Sequence, residues 1–507
     1  MSMSGLGTSG VSAVKWSIVS SISRFALQMT AQVVLARTLG PDIFGVFAIG
    51  MVVFTFATFV SGFGFSWSLL QRTSLSDEDI RFAGTWQLIM GLVTMVSLYL
   101  LAPVLATYFK EPRAQFVIEW MSVACLLTSA SATATYLLQR DLNFRASGLI
   151  QVASYAAGYL AVGVPMALLG WGEASLVAAW VVQAAVLLII SYVLKPHPLR
   201  PLFWYSGAVL AVGTGRAVFI TNIINWMLNN LDRILIGRLL NAQALGLYNV
   251  AYNLATLPNA LLLGALQPAF LAAGARLQAD LPRLGQAYFQ MVATVFVLGL
   301  PGFVFLSLIS TDLVGFLYGS QWKDAAWVMA ILFLSMPAYV IWGLSTPVLW
   351  NTGRKHYEFL LQLPILSLGV LGFYMFSSMG LHVVAVIAAL LLLTRGLVMA
   401  VAAMRAVQLR GITMLPHIAR GLLLSALCAI GVLASQKAVA HFNSHFLSLA
   451  ISSMTSLALF ALLITWRPQL LGDQSIAMVL RFFPRLTKFF NKSNPVLQSQ
   501  IIGEPRL

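Results

Sequence analysis

Charge is what this chain has least of. Only 9% of its 507 residues are Asp, Glu, Lys or Arg, whereas a soluble domain carries roughly a quarter to keep its surface in water. Two cysteines, Cys125 and Cys428, both lie in apolar stretches. That leaves no disulfide framework and no zinc spacing, and predicts two small buried hydrophobes. His441 and His445 stand at i, i+4 but lack a third ligand, which argues against a metal. No Walker-type phosphate loop occurs, which argues against direct drive by ATP, and no nucleophile–base pattern stands out. Segments of about ten alternating residues, the mark of a membrane β-barrel, are absent too. Residues Met1–Ser12 are uncharged and Gly/Ser-rich, without the basic region and cleavage site of a signal peptide, so the first span is expected to be retained.

What is abundant is hydrocarbon: 59% of the residues are hydrophobic. Apolar runs long enough to cross a ~30 Å hydrocarbon core recur from end to end, and helices satisfy their own backbone there. The expectation is an all-α polytopic membrane protein with fourteen spans, at about 13–36, 44–70, 82–106, 115–138, 146–170, 173–194, 212–236, 245–270, 286–310, 324–346, 358–378, 381–403, 413–435 and 446–466. Fifteen acids against thirty bases give a formal charge of +15, which in a soluble protein would suggest nucleic acid. Here most bases sit in short loops. With the N-terminus cytoplasmic, eighteen fall inside, in pairs such as Arg72/Arg81 and Arg354/Lys355 and in the tail, against six outside, among them Arg37, Arg238 and Lys323. That bias follows the positive-inside rule and places both termini in the cytoplasm. In the tail, Arg481 to Lys492 interleaves bases with aromatics; an interfacial segment and a disordered basic tail both remain open.

An internal repeat sets the expected architecture. Leu35-Ala-Arg-Thr-Leu-Gly-Pro-Asp-Ile-Phe-Gly-Val-Phe47 aligns without gaps to Ile236-Gly-Arg-Leu-Leu-Asn-Ala-Gln-Ala-Leu-Gly-Leu-Tyr248, an offset of 201 that also pairs Lys15 with Arg216. A unit of six spans, an even number, points both copies the same way, as in transporters whose parallel repeats hold substrate between them. The predicted organisation is an N-terminal six-helix lobe over 1–200, a second over 201–405, an additional helix pair over 406–466 and a basic cytoplasmic tail over 467–507. Pro165, Pro258, Pro301 and Pro337 fall inside spans, where a missing backbone bond permits bending.

A few charges remain within the spans: Lys15, Arg24, Arg216, Arg233, Arg395 and Arg420, against Glu119 and Asp232. A base at mid-helix costs roughly 2.5–3.5 kcal/mol on insertion scales, so each should meet a wet cavity or a partner. Arg24, Gln28 and Gln32, at i, i+4 and i+8, share one face of span one. Asn222, Asn225, Asn229 and Arg233 fall within about a quarter of the circumference of span seven. Two such stripes facing one another would make a cationic cleft, with bases for phosphates and amides for sugar hydroxyls. Lys15, Arg24, Gln28, Arg216, Asn225, Asn229 and Arg233 are therefore the candidate substrate-binding residues. Alternatives stand beside this: Lys15 and Arg216 could snorkel to the cytoplasmic face, and Arg233 could pair with Asp232 or reach the outer interface. Arg395 and Arg420 could snorkel or bridge helices.

Ala36-Arg-Thr-Leu-Gly-Pro-Asp-Ile-Phe-Gly-Val-Phe-Ala48, Asn230-Leu-Asp-Arg-Ile-Leu-Ile-Gly237, Gly246-Leu-Tyr-Asn-Val-Ala251 and Tyr318-Gly-Ser-Gln-Trp-Lys323 resemble the Wzx-type polysaccharide transporter branch of the multidrug/oligosaccharidyl-lipid/polysaccharide exporter superfamily. The resemblance covers about residues 10–405. It implies two six-helix bundles in a V and export of undecaprenyl-diphosphate-linked repeat units for O-antigen, capsule or exopolysaccharide. It also implies no cofactor, coupling to a proton or sodium gradient, and a setting among membrane lipids beside a polysaccharide polymerase and chain-length regulator. Peptidoglycan-precursor flippases and cation-coupled drug exporters belong to the same superfamily; the drug exporters favour acids in span one, where this chain has Lys15 and Arg24. A membrane polymerase or ligase, the competing enzyme class, would be expected to show a sizeable outer loop with catalytic bases, and here the outer loops are short.

Overall fold

The computed structural model describes residues 3–62, 65–66, 69, 74–141, 143–206, 208, 226–227, 229–278, 280–442, 444–466 and 468–472. Among them every regular element is helical, and eleven helices are long and apolar enough to cross a membrane. The chain is a multi-pass membrane protein. By internal packing it divides into two compact units, Met1–Asn249 and Val250–Leu507. The C-terminal tail beyond residue 472 and most of span seven lie outside the described residues.

In the first unit, α1 (Met3–Gly62) holds the first two spans end to end, broken at Gly40. Gly40 has φ 76°, a left-handed value open to glycine, and Pro41 then starts the second helix, where its missing N–H costs no bond. α2 (Asp77–Phe109) begins at a capping box: Asp79 N–H donates to the Ser76 hydroxyl and Ser76 N–H to the Asp79 carboxylate. Along it Gly91, Thr94, Leu98, Ala102 and Ala106 face inward, while Leu92, Val96, Leu100 and Val104 face outward. Small residues inside and large aliphatics outside is the pattern for helices packing in lipid, where burying leucine against protein gains little. α3 (Arg113–Arg140) packs antiparallel on α2, with Gly91 pressed on Ser129. α4 (Phe144–Tyr155) runs through a π-helical segment (Ala156–Gly163) into α5 (Val164–Leu168), and α6 (Glu173–Leu194) lies against that segment, the backbone carbonyl of Ala179 close on Gly158.

The second unit takes up within α7 (Ala242–Arg276). α8 (Leu281–Thr294), a second π segment (Val295–Gly299) and α9 (Leu300–Leu308) form one bent crossing, followed by α10 (Ser310–Tyr318). Then come α11 (Lys323–Asn351), α12 (Lys355–Phe376), α13 (Leu381–Ala406), α14 (Leu415–Val439) and α15 (His445–Trp466). Asn259 donates to Met336 Sδ, Gln267 to Gly343 O and Asn351 to Leu271 O. Those pairs climb together, so α7 and α11 run the same way with one crossing between them. α11 and α13 are likewise parallel, from Trp327–His382 up to Trp342–Arg395.

The prolines expected to bend spans act by a specific route at two places. Each π segment ends two residues before a proline, at Gly163-Val164-Pro165 and Gly299-Leu300-Pro301, and the Val164 and Leu300 N–H groups reach back five residues to Tyr159 O and Val295 O. The proline ring crowds the carbonyl four residues back, and the helix relieves it by widening one turn. Pro337 lies in a helix that stays α-helical throughout.

One packing contact mirrors the sequence repeat. A Cβ on Gly45 would lie 1.7 Å from the carbonyl oxygen of Ala242, and a Cβ on Gly246 would lie 1.9 Å from that of Pro41. Pro41 and Ala242 stand 201 residues apart, as do Gly45 and Gly246, so each contact is the other moved by the repeat offset. Both obstacles are backbone, which cannot swing aside. We expect Gly45→Ala and Gly246→Ala each to destabilise the folded protein by at least about 3 kcal/mol, more than ordinary overpacking, while Gly62→Ala, with nothing within 4 Å, stays within about 1 kcal/mol. Thermal unfolding of the detergent-solubilised protein measures this, and equal melting temperatures for the three variants would contradict it.

Candidate functional site

Arg24 is the candidate that the packing positions most clearly. Leu27, Ala31 and Leu35, on one side of α1, pack on Tyr155, Tyr159 and Ala179; the two tyrosines stack with centroids 4.5 Å apart and planes 9° apart. This seam fixes α1 against α4 and sets Arg24 opposite Gln151, whose Oε1 accepts a hydrogen bond from Arg24 Nη1. Both side chains are half-buried, as are Gln28 and Gln32 further along α1. An amide oxygen solvates a guanidinium without neutralising it, so this contact lowers the cost of carrying the charge at membrane depth and leaves the charge in place.

The helical stretch 229–239 supplies a second polar group. Arg233 Nη1 donates to Asn230 Oδ1 at 2.9 Å, and Asn230 Nδ2 donates to the Trp226 carbonyl at 3.0 Å. Asp232 accepts from the Tyr248 hydroxyl at 2.6 Å and from the Arg233 N–H at 2.8 Å. Trp226 Nε1 donates to Thr55 Oγ1 at 3.0 Å, which ties this stretch to the second half of α1. Asn229, expected on the polar stripe, is half-buried there; its neighbour Asn230 makes the bond to Arg233. Asn222, Asn225, Arg216 and the side chain of Lys15 lie outside the described residues.

In the second unit Arg395, for which the sequence left snorkelling and helix bridging both open, bridges two helices: on α13 it is 7% exposed, with its guanidinium carbon 3.6 Å from the centre of the Trp342 ring on α11. Stacking on an indole face suits a delocalised cation away from water. Near this pair Glu358 accepts from Trp350 Nε1 at 2.7 Å and from Thr346 Oγ1 at 3.2 Å. Cys125 and Cys428 are free and buried, as small hydrophobes should be. His445 turns its Nδ1 to Asp312 Oδ1 at 2.9 Å, and Ser448 donates to the other oxygen of that carboxylate, so this histidine fastens α15 to α10.

Gln151, Trp342 and Tyr248 were not read as site residues from the sequence, although each partners a charge. For Gln151 a signal existed, an amide inside span five; Trp342 and Tyr248 are ordinary aromatics until the fold brings a charge to them.

Residues 34–327 match the family model described as polysaccharide biosynthesis protein. The chain belongs to that family. It is 25% identical over 333 residues to the lipopolysaccharide biosynthesis protein WzxC of Escherichia coli (strain K12), a match covering 64% of this chain and 66% of that one. It is 27% identical over 334 residues to the succinoglycan biosynthesis transport protein ExoT of Rhizobium meliloti (strain 1021), covering 66% of each. The chain thus spans just under two thirds of the length of these curated relatives. Among solved structures, the lipid II flippase MurJ in an inward closed conformation superposes with a TM-score of 0.69 at 12% identity, over 89% of this chain and 99% of MurJ. At that identity the likeness is one of fold, and it agrees with the all-helical membrane architecture read from the sequence.

The buried cation is testable apart from any transport assay. Arg395→Ala removes the stack and leaves a hole, and should cost about 2–5 kcal/mol. Trp342→Phe keeps a ring under the guanidinium and should cost about half as much. Melting temperatures of the purified variants check the order; a harmless Arg395→Ala would show that the stack contributes nothing.

Proposed function

We propose that this protein is a flippase that moves undecaprenyl-diphosphate-linked oligosaccharide repeat units from the cytoplasmic to the periplasmic leaflet, for exopolysaccharide, capsule or O-antigen synthesis. The observation that carries the reading is Arg24: a base at membrane depth, held by an amide that leaves its charge intact, in a member of the polysaccharide biosynthesis family. A positive charge that meets no carboxylate among the described residues suits an anionic cargo, and a diphosphate is the anionic part of a lipid-linked glycan. WzxC and ExoT, by name a lipopolysaccharide biosynthesis protein and a succinoglycan transport protein, point to the same cargo class.

In this reading the bilayer is the bacterial inner membrane, crossed fourteen times with both termini in the cytoplasm. Two parallel six-helix lobes, 1–200 and 201–405, alternate access to a central cleft. Arg24, Lys15 and Arg216 neutralise the diphosphate, Gln28, Asn225 and Asn229 meet sugar hydroxyls or water, and Arg233 adds charge toward the outer end. A proton or sodium gradient drives the cycle, and a polymerase with its chain-length regulator takes the product. The protein forms and breaks no covalent bond. The fold shared with MurJ leaves a peptidoglycan-precursor flippase as the competing cargo, and a drug exporter as a third; a deletion strain separates them, being viable but polysaccharide-deficient, lysing, or drug-sensitive.

We expect mass spectrometry of the deletion strain to find lipid-linked glycan accumulated in the membrane. Restoring Arg24→Ala at normal protein level should leave export below about a tenth of wild type, a loss of roughly 1.4 kcal/mol or more in transport efficiency, and Arg24→Lys should recover part of it. Full export by Arg24→Ala would remove Arg24 from the mechanism.

A further inference from the structure

A cavity of about 510 Å³ lies wholly within the second unit, half-enclosed by α7, by the α8–α9 crossing and by α11. Its size is that of a ligand pocket, which falls at roughly 300–1,000 Å³. Its walls are hydrocarbon, from Leu262 on α7, Leu298 and Phe303 on the bent crossing and Val340 on α11. Thr294 is the one hydroxyl on the lining, and it is turned back onto the Gln290 carbonyl at 2.8 Å. Walls of this kind stay dry, because water finds no polar partners there. Left empty, they would forfeit dispersion contacts along their whole surface. The helices that form the cavity include two candidate membrane spans, 281–308 and 320–351, so the filling available at that depth is a hydrocarbon chain.

Two glycines give the cavity its shape. A Cβ on Gly302 would meet nothing within 4 Å, and one on Gly299 would meet only Val295 of its own π turn, at 3.6 Å. Elsewhere in the unit, Gly285, Gly343, Gly396 and Gly421 would each come within 3.3 Å or less of a neighbouring helix, so packing explains them. Packing explains neither Gly299 nor Gly302, and glycine weakens a helix. Their missing side chains hollow the wall where Pro301 has already widened the helix. A straight acyl chain is satisfied by a uniform slot between helices. An isoprenoid carries methyl branches at regular intervals along its length, and such branches need hollows beside the slot.

We propose that this cavity between α7, α8–α9 and α11 seats the methyl-branched isoprenoid chain of the cargo's carrier lipid. The inference rests on the reading of a prenyl-linked cargo. The site holds the chain in the second unit alone, with no contact to the headgroup.

The test uses the full-length protein in nanodiscs of phosphatidylethanolamine and phosphatidylglycerol, with a trace of sugar-free polyprenyl phosphate bearing a diazirine in its chain. Illumination should label peptides within 291–306. Gly302→Leu from one wall and Leu262→Trp from the other fill the cavity, and each should lower that labelling about tenfold, a change of 1.4 kcal/mol in binding. Two variants on separate helices guard against one that fails to fold. Gly264→Leu, at an exposed glycine of α7 with nothing within 4 Å and off the cavity wall, should label as wild type does. Absent labelling in wild type, or undiminished labelling in both filled variants, overturns the site. So does equal labelling by a straight-chain diazirine phospholipid at the same mole fraction, which would make the cavity a slot for bulk lipid. Because the probe has no sugar, the outcomes separate. Labelling as expected without glycan accumulation in the deletion strain would sink the flippase reading and keep the isoprenoid site; accumulation without labelling would do the reverse.

Discussion

In hydrocarbon a polar atom has no water to fall back on, and much of this structure follows from that constraint. The backbone is helical among the described residues because a helix satisfies itself. Serine and threonine hydroxyls inside the spans fold back onto carbonyls three or four residues earlier, as Thr128 does on Ala124 and Ser345 on Ile341. Charged groups each receive a partner suited to what remains of their charge: an amide for Arg24, an indole face for Arg395, a phenol for Asp232. The same constraint separates the uses of these charges. The carboxylate of Asp232 draws on a phenol and a backbone N–H together, whereas Arg24 is met by the amide oxygen of Gln151.

Helix contacts obey a second consequence of the same solvent. With no hydrophobic gain from hiding leucine, helices associate by close approach, and glycine permits the closest. The inward faces of α2, α6 and α13 are therefore rich in small residues such as Gly91, Ala102, Ala179, Ser191, Ala388 and Gly396, while leucines such as Leu92, Leu100, Leu194, Leu390 and Leu397 look outward.

Most of the secondary structure could be read from the chain, because the distance across a bilayer dictates the length of each apolar run. The break between the first two spans was visible at Gly40-Pro41, and prolines 165 and 301 were legible as bending points. Their form, a π turn ending two residues upstream, was not, since it depends on how the helix shares the crowding at one carbonyl. Among the candidate site residues, Arg24 was marked by its mid-span position and by the face it shares with Gln28 and Gln32. Its partner Gln151 lies 127 residues away, and pairings at such separation follow from packing that no local pattern encodes. For Arg395 the sequence left snorkelling and helix bridging both open, and only the fold, which places an indole of α11 beneath it, decides for the bridge. The bond from Arg233 to Asn230, one turn of helix back, adds an amide that the asparagine stripe read from the sequence did not use.

The crossing of Gly45 and Gly246 carries a meaning for the history of the chain. A contact in which one segment's glycine meets its counterpart's backbone, and the counterpart's glycine meets the first segment's backbone in return, is isologous, the form that two identical subunits adopt around a dyad. Two copies of a single ancestral segment could make it without any adaptation to each other. Whatever else changes in either segment, here each glycine guards the space that the other's helix occupies, so a side chain gained at one position has to be answered at the other.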